Sequence, residues 1–143
     1  MTTKQDGVAM LGAVPMFADL TKRDLGRLWE QVKLVDHAPG HQIVGEGRGG
    51  HGFHLLVAGS VLVVRKGKKL TLGPGEFFGE MSLIDEGPRT ATVTAAEPTT
   101  IATLSSAAFR SYAKKHPDLL WKLLVFMTGR LRDEQTVTAN LTA

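Results

Sequence analysis

Between Gly40 and Leu104 the chain places twelve of its sixteen glycines, and they punctuate short apolar runs: HLLV, VLVV, LTL, TATVTA and TIATL. Runs this short, separated by glycine turns at regular spacing, read as strands and predict a sandwich or small barrel. In TATVTA, strand alternation puts Ala91, Val93 and Ala95 on one small apolar face and the threonines on the other. VLVV and LTL flank RKGKK, Arg65 to Lys69, which predicts a β-hairpin with Gly67 at its tip. No aromatic residue interleaves this basic cluster, as a nucleic-acid contact would favour, so it reads as a solvated turn.

Helical patterns flank this region. Up to His37 the sequence reads as helix: Thr21 and Asp24 stand at capping-box spacing, and Leu25, Leu28, Trp29 and Val32 recur at helical intervals. After the β-rich part, SSAAFRSYAKKH predicts a short helix with Ser105 and Ser106 as cap residues. A longer helix opens at Pro117, a residue favoured in the first turn. Leu120, Leu123, Leu124, Met127 and Leu131 form one stripe along it. Trp121 and Phe126 fall off that stripe, and either pack against the β-region or offer a face to a dimer mate or partner. The expected architecture is α+β, mainly β, in a single domain over residues 1–143. Its parts are an N-terminal helical segment at 16–37, a β-region at 40–104 and C-terminal helices at 105–139.

A chain of 143 residues is long enough to bury a real core. It contains no cysteine, so disulfide and thiolate chemistry are excluded, and a cytoplasmic location is expected. No apolar run approaches the roughly 20 residues of a membrane span, and MTTKQDG lacks the layout of a secretory signal. The formal net charge of +3 favours anionic ligands only weakly. HGFH, with His51 and His54, has no carboxylate companion and predicts no metal site. No nucleophile–base pair is visible, so catalysis, a metal and a catalytic cofactor are not expected.

One stretch asks for a ligand. In PGEFFGEMSLIDEGPRTATV, Pro74 to Val93, Glu80 and Arg89 stand on either side of EMSLI, a plausible single helical turn. The free N–H groups of a helix start and the hydroxyl of Ser82 suit an anion. Strict alternation would aim Arg89 inward with Ala91 and Val93, which is costly unless an anion meets it. Glu80 then has two readings. It pairs directly with Arg89, or it accepts from a hydroxyl of a ligand whose phosphate Arg89 holds, as in a ribose bearing a phosphate.

FFGEMSL followed by PRTATV resembles the phosphate-binding cassette of the cyclic nucleotide-binding domain family. VPMFADLTKRDLGRLW, GSVLVVRKGKKLTLGPGEFFGE and the paired helices after Ser105 extend the resemblance over nearly the whole chain. It implies an eight-stranded, jelly-roll-like β-roll flanked by the N- and C-terminal helices, with a short cassette helix within residues 75–92. It puts Glu80 on the ribose 2′-OH and Arg89 on the cyclic phosphate. The amides of Met81 and Ser82, and Thr90, complete the phosphate cradle, with Phe78, Gly79 and Ala91 bounding it. Val63 and Leu72 match strand positions that pack against the purine, and Arg130 and Glu134 match the part of the last helix that approaches the base. The implied ligand is cAMP, with cGMP as the alternative, because the Thr90 hydroxyl could also meet a guanine amino group. A non-binding interaction module of the same fold is the other reading. The implied partner is a protein or a second copy engaging the C-terminal helix. Direct DNA reading is not expected, because no helix-turn-helix pattern follows that helix.

Overall fold

The computed structural model describes residues 3–45, 52–79, 83 and 91–142, with side chains through 133. The elements in order are α1 (Lys4–Gly12), a 3-10 turn (Pro15–Phe17), α2 (Lys22–Glu30), β1 (Lys33–His37) and β2 (Gln42–Val44). β3 (Gly52–Ala58), β4 (Val61–Arg65), β5 (Lys68–Leu72), β6 (Phe77–Phe78), β7 (Thr92–Ala95) and β8 (Thr99–Ser105) follow. α3 (Ser106–Lys115) and α4 (Pro117–Thr142) end the chain. The strands form two four-stranded sheets, ordered β1-β8-β3-β6 and β2-β7-β4-β5, with every pairing antiparallel. The expected mainly-β roll flanked by helices is therefore the architecture observed.

Central strand β3 explains how the layers assemble. Phe53 and Leu55 face the helices, in a core with Phe17, Leu28, Leu104, Phe109, Leu119 and Leu123. Leu56 faces the other sheet, in a second core with Val61, Leu72, Val93 and Ile101. A strand covered on both faces must read as a continuous apolar run, as HLLV does. Alternation in β7 follows the sequence pattern, with Val93 and Ala95 buried and Thr92 and Thr94 only partly so. The β4–β5 connection is a two-residue turn in which Lys66 (φ 50°) and Gly67 (φ 77°) are both left-handed. That is the geometry a tight hairpin needs to match strand twist.

The helical flanks differ from expectation in three places. Residues 33–37 are not the end of a helix but strand β1, paired with β8 from Lys33↔Thr103 to His37↔Thr99. Backbone pairing to an exposed edge of the sheet outweighs a helical spacing that Val32 continues only by chance. An additional helix, α1, lies before residue 16, opened by a reciprocal capping box between Thr3 and Asp6. The third difference concerns α4, where only Leu123 of the leucine stripe is buried in the core. Leu119 and Leu123 are buried, whereas Leu120, Leu124 and Leu131 are 41%, 58% and 55% exposed. Phe126 packs toward the helix-side core and Trp121 points to solvent, 68% exposed. The Thr21 and Ser105 caps form as expected, accepting from the backbone N–H of Asp24 and Ala108, each at 3.1 Å.

Candidate ligand site

The strand registers bring the two ends of the cassette to one end of the roll. β4 runs toward that end and finishes at Arg65, which pairs with Lys68 across the hairpin. β7 starts there, with Thr92 opposite Val64, so Ala91 lies just beyond the last β4–β7 pair. In the other sheet, Lys33, Thr103, His54 and Phe78 form one cross-strand row at the same end. Phe78 leads into Gly79, whose φ of 81° is costly for any side chain and suits a backbone that must turn sharply. Glu80, Met81, Ser82, Arg89 and Thr90 lie outside the described residues. Leu83 is described, and it is buried in the helix-side core at 2% exposure.

The inner face at this end is apolar. Val63 and Phe78 are partly buried against the inter-sheet core, and Ala91 is also partly buried. Leu72 lies deeper, paired with Val61 and 8% exposed. Leu70, which the sequence reading passed over, pairs with Val63 and therefore shares its face, yet it is 60% exposed. Strand parity was the available signal: in LTL, Leu70 and Leu72 point the same way. A flat base meeting Val63 at the end of the roll would also meet Leu70.

Arg130 lies on α4. Its guanidinium lies 6.0 Å over the Phe126 ring, and with Pro15, Met16 and Phe77 these residues line a cavity of about 400 Å³ between α4 and the 3-10 turn. Glu134 is on α4, with its side chain outside the described part. His54 is buried in the roll, with Nδ1 3.1 Å from Thr103 Oγ1 and its ring stacked on Phe78 at 4.8 Å. His51 lies outside the described residues. Among the described residues no group of three or more potential metal ligands occurs. At the opposite end of the roll, His37 stacks on His41 at 5.2 Å. Burial, then the neighbouring His41, hold the His37 pKa below its ordinary value, and Asp36 opposes them. This pair is structural and remote from the cassette.

The family described as "Cyclic nucleotide-binding domain" matches residues 34–116, more than half of the chain. The chain belongs to the cyclic nucleotide-binding domain family. It is 29% identical over 138 residues to a CRP-like cAMP-activated global transcriptional regulator of Mycobacterium tuberculosis, covering 92% of this chain and 62% of the relative. It is 35% identical over 102 residues to a cAMP-dependent protein kinase regulatory subunit of Hypocrea atroviridis, covering 70% of this chain and 22% of the relative. The chain thus spans less than two thirds of the length of these curated relatives. Among solved structures it resembles the N-terminal domain of a transcriptional regulator from Streptomyces coelicolor A3(2), with TM-score 0.81 and 28% identity over 90% of this chain and 93% of the other. No helix among the described residues is long and apolar enough to cross a membrane.

Proposed function

We propose that the chain binds a cyclic nucleotide, cAMP in preference to cGMP, as a ligand sensor rather than an enzyme. The observation that carries this reading is the convergence of Gly79, Ala91, Val63 and solvent-exposed Leu70 at one end of the roll. A cassette strung between Gly79 and Ala91 is tethered beside an apolar wall suited to a purine. In this reading Arg89 forks onto the cyclic phosphate with the amides of Met81 and Ser82 and with Thr90, and Glu80 accepts from the ribose 2′-OH. Val63, Leu70 and Phe78 supply the wall, Leu72 backs it, and Arg130 and Glu134 lie on the helix that would approach the base. These groups bind and orient. In this reading none of them acts on a nucleophile, and the cysteine-free chain suits the cytoplasm. Isothermal titration with cAMP and then cGMP tests the reading: one nucleotide should bind saturably, near one per chain. No heat from either, with folded and nucleotide-free protein, would leave the interaction-module reading.

The relay surface in this proposal is the outer face of α4. Leu120, Leu124, Met127 and Leu131 are spaced four, three and four residues apart, the seam of a two-stranded coiled coil. Leu120, Leu124 and Leu131 are exposed, and Trp121 and Val125 widen the patch. A heptad seam is matched best by another helix of the same kind, so the partner is a second copy of the chain, as oligomer symmetry favours. A ligand shifts this helix only as far as it prefers one arrangement over another. Leu124→Glu is expected to convert a dimer to a monomer in multi-angle light scattering while leaving the circular dichroism unchanged. A wild-type monomer at about 100 µM, or a dimer that survives the substitution, would contradict the seam.

A further inference from the structure

The basic hairpin tip reads from sequence alone as a solvated turn, but its position in the fold suggests more. Because Val63 and Leu70 face the roll interior, strand alternation puts Arg65 and Lys68 on that same face, one step further out. Lys66 forms the turn itself, and Lys69 lies at the same end opposite Val64. Across the roll, Lys33 shares a cross-strand row with Thr103, His54 and Phe78, again on the interior side. All five cations are exposed. None has an ion-pair partner among the described residues. Glu30, three residues before Lys33, is already held by Lys4 at 2.8 Å.

We propose that Arg65, Lys66, Lys68 and Lys69, with Lys33 opposite, form a positive collar at the cassette end that captures the anionic ligand and sets its association rate. The inference rests on the nucleotide reading above and adds a kinetic role that the cassette does not supply. Exposed charges contribute little to a static contact, but their summed field raises the local concentration of an oppositely charged ligand before it docks. Rim charges accordingly act on association and its salt dependence more than on dissociation. The collar's position makes the effect local: the same charges elsewhere on the surface would act much less, because screening extinguishes them over about 8 Å at physiological salt.

The test is stopped-flow binding of N-methylanthraniloyl-cAMP and its cGMP counterpart, across a range of salt concentrations. Three proteins are compared: wild type; Arg65→Gln, Lys66→Gln, Lys68→Gln, Lys69→Gln combined; and a charge-matched control, Lys22→Gln, Arg23→Gln, Lys114→Gln, Lys115→Gln combined. The collar variant should associate about tenfold more slowly than wild type at ~10 mM salt and about twofold more slowly at ~150 mM, with its salt slope flattened. Its dissociation rate should move by less than about twofold, and the control should track wild type at ~150 mM and be slowed less than the collar variant at ~10 mM. Equal association rates and salt slopes in all three proteins would overturn the collar while leaving nucleotide binding intact. Equal slowing in the control would overturn it too, by assigning the effect to net charge. Wild type that binds neither probe would overturn the nucleotide reading and the collar together.

Discussion

Replacing Arg89 by alanine is expected to weaken cyclic nucleotide binding by roughly thirtyfold to several thousandfold, about 2–5 kcal/mol. A guanidinium that meets a phosphate in a partly dry pocket makes two directional, charge-assisted bonds. Removing it leaves the phosphate desolvated and unpaired, and that penalty makes up much of the loss. Arg89→Lys should recover only part of the affinity, because an ammonium keeps the charge but not the planar fork. Competition against a fluorescent nucleotide reads the effect, with melting temperature as the check on folding. Unchanged affinity in Arg89→Ala would mean that the guanidinium pairs with Glu80 instead. In that case Glu80→Ala would also leave affinity untouched, whereas the proposed site loses its acceptor for the 2′-OH.

Phe53→Ala is expected to destabilise the fold by about 3–5 kcal/mol. Phe53 is 1% exposed at the centre of the helix-side core. Its ring meets Phe17 edge-on at 5.5 Å and Phe77 at 5.7 Å. Truncation therefore removes a large buried surface and two aromatic contacts and leaves a cavity that β3, paired on both sides, cannot collapse to fill. For a chain of this length, the melting temperature should fall by roughly 10–20 °C. Phe53→Leu, which keeps most of the volume, should cost about 1.5 kcal/mol or less. A melting temperature within about 2 °C of wild type for the alanine variant would contradict the packing. Phe77 precedes Phe78 and Gly79 in the strand that enters the cassette, so this core also anchors one side of the candidate site.

The β-roll was legible in the sequence because its signals are local. Glycines bound the strands, Lys66 and Gly67 carry the hairpin, and alternation in TATVTA names its buried face. The family was legible for the same reason, since FFGEMSL and PRTATV, which carry the resemblance, lie within one short segment. Less local features did not read through. β1 is held by pairing with β8, some 65 residues away, and four of its five residues are exposed, so no alternation marked it. α1 has little amphipathicity to detect, although Thr3 and Asp6 spell its cap. In α4 the leucine spacing was seen correctly, but spacing cannot say which of two apolar faces meets the core. The fold buries Leu119 and Leu123 and leaves Leu120, Leu124 and Leu131 outward.

In the proposed site Glu80 and Arg89 read a sugar phosphate and do not simply neutralise each other. A crystal structure of the chain grown with cAMP tests this most directly. The account predicts the nucleotide at the end of the roll between Gly79 and Ala91, its cyclic phosphate within about 3 Å of the Arg89 guanidinium. The ribose 2′-OH should donate to the Glu80 carboxylate, and the purine should lie against Val63 and Leu70. Glu80 and Arg89 bonded to one another, with no nucleotide between Gly79 and Ala91 at saturating concentration, would contradict it.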